Sequence, residues 1–155
     1  MADVPISTPH HQLKAYVATP AGQRPWPGVI VLHDIFGLWG VTRSHADWMA
    51  QEGSLAVAPD LFSWGGYILQ YLAARRVPAF DDIDAARQWL TGCPDCIDKT
   101  GMIGFCATGG FAILLAAGHK RLIGVFCAAL GASYKKEAAD ARSRIRTFFV
   151  HHLAL

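Results

Sequence analysis

The sequence predicts an α/β domain built on a doubly wound, mostly parallel sheet. Two observations carry this. Short β-like runs alternate with amphipathic helical segments along the chain, and some of those runs are apolar without interruption, as in strands covered on both faces. With 155 residues, 52% of them hydrophobic, the chain can bury one substantial core, so a single domain over residues 1–155 is expected.

The elements follow in order. Residues 11–19 put Leu13, Ala15 and Val17 on one side, the period of a half-exposed strand. Pro20 to Pro27 reads as a turn. Gly28-Val-Ile-Val-Leu-His33 is a continuous apolar run, hence a buried strand. Residues 42–52 read as a helix, with Ser44 and Asp47 spaced as a capping box and Gly53 placed as a C-terminal cap. Ser54 to Ala58 is the next strand, ending at Pro59-Asp60. Residues 61–80 show weak periodicity and read as an excursion carrying a short helix. Residues 81–90 form a clearer helix, with acids at its positive N-terminal end and Ile83, Ala86, Trp89 and Leu90 on one face. Residues 92–99 read as a loop, 101–105 as a strand, 107–117 as a helix and 122–130 as a buried strand. A polar surface helix is expected over 135–144 and a last strand over 146–152.

Charge narrows the function. There are 14 basic and 12 acidic residues, a net charge of +2, too balanced for a nucleic-acid partner or an anionic membrane. Charged residues make up 17%, below the roughly 25% of an average chain. No apolar run approaches the ~20 residues of a membrane span. The first residues, Met-Ala-Asp-Val-Pro, carry no basic and apolar leader pattern. Four cysteines in such a chain read as thiols rather than a disulfide framework, so the cytoplasm is the expected compartment. No cofactor is expected.

The chemically distinctive stretch is Met102-Ile-Gly-Phe-Cys-Ala-Thr-Gly-Gly-Phe111: an apolar strand, a glycine-flanked Cys106, then a small-residue helix. A nucleophile elbow needs that arrangement, because the turn is too sharp for large neighbours, a demand met by Gly104, Gly109 and Gly110. It would set the sulfur at the positive end of a helix, which favours the thiolate, with the Ala107 N–H toward a developing oxyanion. The competing reading is a buried structural cysteine beside a glycine-rich turn.

Together with Val29-Ile-Val-Leu-His-Asp-Ile-Phe-Gly-Leu38 and Ala56-Val-Ala-Pro-Asp-Leu-Phe62, the cysteine segment resembles the dienelactone hydrolase family of α/β-hydrolases, with the three motifs in the family's order from about Leu13 to Leu130. The resemblance implies that Cys106 is the nucleophile and that the backbone N–H groups of Ile35 and Ala107 form the oxyanion hole. It places Asp34 where the family carries a glutamate against the thiol; a turn former or cap is the alternative for Asp34. It implies hydrolysis of small lactones or esters, of the carboxymethylenebutenolidase type, with an arginine for an anionic substrate, for which Arg76 in the pair Arg75-Arg76 is the candidate.

Two further departures stand out. The family spacing Gly-X-Cys-X-Gly-Gly is lengthened by Thr108, expected to cap the helix rather than touch substrate. The family's acid and histidine positions have no counterpart, so the sheet is expected to lack the last strand and helix. His151 and His152 read as strand residues, not a substitute base. An exposed strand at Thr147-Phe-Phe-Val150 would recruit a partner, giving self-association. The competing function is therefore a catalytically inactive, truncated hydrolase-like domain with a binding role or none.

Other features read as structural. Cys93-Pro-Asp-Cys96 has redox or zinc spacing, but no second pair accompanies it and it lies in a loop before a strand, so no metal is expected. Cys127 reads as core, His10-His11 as a solvated tail, and Trp64, Tyr67 and Phe80 as packing for the excursion.

Overall fold

The computed structural model describes residues 1–62, 78–112, 122–127 and 135–153. Its centre is a six-stranded sheet in the order β1-β2-β4-β3-β5-β6. The strands are β1 (Ala2–Ser7), β2 (Gln12–Ala18), β3 (Trp26–Leu32), β4 (Leu55–Pro59), β5 (Cys96–Phe105) and β6 (Leu122–Cys127). Strands β4, β3, β5 and β6 run parallel, while β1 and β2 form an antiparallel hairpin joined to β4. The mostly parallel α/β sheet is thus present.

Every residue of β3 and β4 is buried, which is why they read as unbroken apolar runs. Successive β3 side chains go to opposite faces. Ile30 and Leu32 join Leu13, Val57 and Met102 on the face covered by helix α2 (Pro78–Thr91), through Ile83, Ala86 and Leu90. Val29 and Val31 join Ile103 and Phe105 on the other, under helix α1 (Gly40–Gln51) and helix α3 (Lys135–Leu153).

Strand β1 was not expected. Only Ile6 of its six residues is buried, so it carries almost no amphipathic signal, and Pro5 is tolerated because the strand is at the sheet edge. The turn it makes with β2 corrects the view of His10-His11 as a solvated tail. Thr8 Oγ1 accepts the His11 N–H at 3.0 Å, and His11 Nε2 lies 3.4 Å from the buried carboxylate of Asp82.

Helix α1 starts at Gly40, so Ser44 and Asp47 form no capping box. Ser44 donates to the Gly40 carbonyl, and Asp47 accepts the Tyr16 hydroxyl at 2.6 Å, tying the helix to β2. Gly53 ends the helix as expected, at φ +93 with its N–H on the Ala50 carbonyl. The loop expected over 92–99 is shorter, because β5 already begins at Cys96.

The largest correction is at the C-terminal end of the chain. Residues 135–153 form one helix, and no strand exists at 146–152. Ile145, Phe149 and Leu153, four residues apart, are its buried stripe, and Phe149 lies so close over Gly101 that a Cβ there would collide with the ring. Arg146 reaches Glu52 at 2.7 Å. The strand edge on which self-association was expected is therefore not formed; β6 ends the sheet among the described residues.

Candidate active site

Strand β5 runs into a single 3-10 turn, Cys106–Thr108, followed by helical residues from Gly109. Cys106 has φ +56, the one non-glycine residue at positive φ among those described. The left-handed conformation costs an L-residue about 1–2 kcal/mol, so the surroundings must hold it. Gly104 is one reason the chain can turn so sharply: a Cβ there would collide with the Thr108 carbonyl and lie 2.7 Å from the Gly109 Cα. The same demand does not extend to Gly110, where a Cβ would meet nothing within 4 Å. Gly109 is right-handed, φ −58. The Cys106 thiol is free and half-buried.

Thr108 neither caps a helix nor faces outward. It is fully buried, with its hydroxyl 2.7 Å from the His33 carbonyl and 3.0 Å from the Phe105 carbonyl, sharing one proton between them. The elbow is thereby clasped to the end of β3.

His33 is buried as well. Its Nε2 accepts the Leu61 N–H at 3.0 Å, which leaves Nδ1 to donate to the Asp34 carbonyl at 2.6 Å. Burial pushes its pKa below the ordinary value, against weaker opposing effects of the Asp34 carbonyl and of Asp60 and Asp34 charges. It is a neutral strut joining β3 to the chain after β4.

Asp34 fills the turn-forming role that was the alternative to a thiol contact. Its Oδ1 accepts the Phe36 N–H at 2.8 Å, a turn that fixes the loop after β3. Gly37, at φ +85 and packed on Phe62, closes that loop, and Thr42 Oγ1 donates to its carbonyl. Ile35, Phe36 and Trp39 stand exposed along it, as does Val41 in the first turn of α1. The amides of Ile35 and Ala107 thus belong to the two segments that the Thr108 clasp joins.

His45 was not singled out from the sequence. It stacks on Phe105, the residue before Cys106, with ring centroids 4.0 Å apart and planes within 8°. The available signal was its spacing to Met49, which puts an imidazole on the helix's apolar stripe.

Other candidates separate from the elbow. Cys93 and Cys96 occupy a turn, with Cys96 N–H on the Cys93 carbonyl, and burial pushes the Cys96 thiol up to about 11, away from thiolate chemistry. Among the described residues no group of three or more His, Cys, Asp or Glu could hold a metal. His151 and His152 form the last turn of α3, where His152 packs on Phe148. Phe80 packs edge-on against Phe111. Arg75, Arg76, Trp64 and Tyr67 lie outside the described residues, as do the Cys127 side chain and the excursion helix. A cleft of about 520 Å³ lies between β1 and α2, lined by Pro5, Ile6, Asp81 and Trp89 among others, and includes no residue of the elbow. Among the described residues no helix is long and apolar enough to cross a membrane.

This strand order, with a left-handed residue between a parallel strand and a helix, defines the chain as an α/β-hydrolase fold. Residues 13–153 match the dienelactone hydrolase family, and the chain belongs to it. It is 30% identical over 143 residues to a carboxymethylenebutenolidase of Pseudomonas putida, covering 81% of this chain and 60% of that protein. With a carboxymethylenebutenolidase of Rhodococcus opacus it shares 33% identity over 99 residues, 59% of this chain and 38% of the relative. The chain thus spans about 38–60% of the length of these relatives. The fold is shared with a dienelactone hydrolase-like promiscuous phosphotriesterase from metagenomic libraries (TM-score 0.69, 24% identity, 78% of this chain and 55% of that one). It is also shared with an esterase of Pyrococcus furiosus (TM-score 0.59, 19% identity, 78% and 48%).

Proposed function

We propose that the chain carries the nucleophile half of a hydrolase for small lactones or esters, with Cys106 as the attacking group. The observation that carries this is the φ of +56 at Cys106, a strain that a merely structural cysteine has no need to bear. In the reaction the thiolate sulfur adds to the substrate carbonyl, and the N–H groups of Ile35 and Ala107 receive the oxyanion. The alcohol or enol leaves with a proton, and water then cleaves the thioester, returning the thiol and releasing the acid. Asp34 serves by folding the turn that carries the Ile35 amide. The family membership and the carboxymethylenebutenolidase relatives support the substrate class.

A second reading has its own observation. None of the bonds of the described residues joins an imidazole or carboxylate to the Cys106 sulfur, and Asp34, the acid that the family resemblance sets against the thiol, is engaged in its turn. General-base help contributes ~10²–10⁴-fold, so a chain without it acylates once and stalls. A chromogenic ester, followed alongside Cys106→Ser, separates the two. Steady release abolished by the substitution supports turnover; a burst of one equivalent supports the stalled acyl-enzyme. Release identical in the two proteins sinks the nucleophile assignment.

A further inference from the structure

We propose that His45 is a positioning residue for Cys106: its ring, stacked flat on Phe105, braces the strand end from which the left-handed elbow departs, and does so while neutral. The proposal rests on Cys106 being the nucleophile. His45 projects from α1, one turn before Met49, onto the last residue of β5, with 4.0 Å between ring centroids and an 8° tilt. Its Nδ1 is buried with no hydrogen-bond partner among the described residues. A bare ring nitrogen tolerates that place. An N–H there would be a buried donor with nothing to receive it, so the neutral ring carries its proton on Nε2.

The charged groups that act on the ring come from two other elements: Asp34 in the turn after β3 and Arg142 on α3. Phe105 brings none. Burial is the strongest influence and favours the neutral ring, Arg142 acts the same way, and Asp34 opposes them. A second proton would have to sit on the buried nitrogen, so a charged ring leaves the stack. Phe105 then loses its brace. Its carbonyl is one of the two acceptors of the Thr108 hydroxyl, so the disturbance reaches the clasp that holds the elbow. Cys106 reactivity should therefore fall in mild acid more steeply than the thiol's own protonation requires.

The test is alkylation of Cys106 by iodoacetamide in the full chain, from about pH 8 to about pH 4, a range that runs well below the ordinary histidine value because burial lowers that of His45. Peptide mapping scores Cys106 apart from Cys93, Cys96 and Cys127. The variants are His45→Phe, which keeps a ring to stack but cannot titrate, and His45→Ala, which removes the ring. The ratio of wild-type to His45→Phe rates cancels the ionisation of the thiol. We expect that ratio to drop about fivefold between the two ends of the range, the scale of one lost aromatic stack, and His45→Ala to react more slowly than wild type throughout. A ratio independent of pH, or His45→Ala reacting as wild type, overturns the positioning role. Should His45→Ala fail to fold, the His45→Phe ratio decides alone. If Cys106 alkylates no faster in the folded chain than in urea, the nucleophile assignment falls and takes this proposal with it; a flat ratio with a fast Cys106 overturns only the role of His45.

Discussion

The Thr108 hydroxyl lies 2.7 Å from the carbonyl oxygen of His33, a residue 75 positions earlier in the chain. The last residue of the elbow's 3-10 turn is thereby bonded to the end of β3, where the loop carrying Ile35 begins. The two walls of the candidate oxyanion hole are held at one separation by a buried hydrogen bond. Thr108 is the residue that lengthens the family's glycine spacing, so the added position supplies a clasp.

Thr108→Val keeps the shape of the side chain and removes the proton. The buried His33 carbonyl then loses a partner, which costs about 1–3 kcal/mol. Urea unfolding should show that loss, and Cys106 alkylation in the folded protein should slow. Thr108→Ser should retain most of both. A valine variant with wild-type unfolding and wild-type alkylation would show the clasp to be idle.

Two glycines of the elbow should respond in opposite senses. At Gly104 a Cβ collides with the Thr108 carbonyl, so Gly104→Ala forces backbone to move and costs about 1–3 kcal/mol. At Gly110 there is open space in a helical residue, so Gly110→Ala gains about 0.5–1 kcal/mol. Thermal melting of the pair checks both signs at once; equal shifts would contradict the packing at Gly104.

Much of the fold was legible because burial writes itself into composition. β3 and β4 are buried throughout and read as apolar runs. β1 was illegible since it buries only Ile6. At 146–152 the β-favouring Thr-Phe-Phe-Val suggested a strand, but Ile145, Phe149 and Leu153 repeat at helical spacing, and packing over Gly101 overrode local preference. At the site, Cys106 was legible from Gly104 and the strand before it. The roles of Thr108 and His45 were not, because their partners, His33 and Phe105, lie far away in sequence.

The helical reading of the C-terminal segment is tested by neighbours. Phe149 is fully buried, and Phe149→Ala should cost about 3–5 kcal/mol. Val150 is 42% exposed, and Val150→Asp should stay within about 0.5 kcal/mol. Circular dichroism should show helix retained in Val150→Asp. If Val150→Asp unfolds the chain while Thr147→Asp does so equally, the stripe is drawn wrongly.

Acid should destabilise the chain before its carboxylates titrate. His33 and His45 both have pKa values lowered in the folded protein, burial being the largest cause for each. Below their ordinary value of 6.5 the unfolded chain binds protons that the folded chain refuses. Stability therefore rises with pH in that window: it is fully present above about 6.5 and is lost as pH falls toward the folded values. Each group that refuses its proton contributes at most about 1.4 kcal/mol per pH unit to the slope. Urea unfolding at several pH values measures that slope, and His45→Phe should reduce it while leaving the part due to His33. A slope unchanged by His45→Phe would mean that His45 is protonated alike in both states, and a midpoint flat across the window would deny the neutral strut at His33 as well.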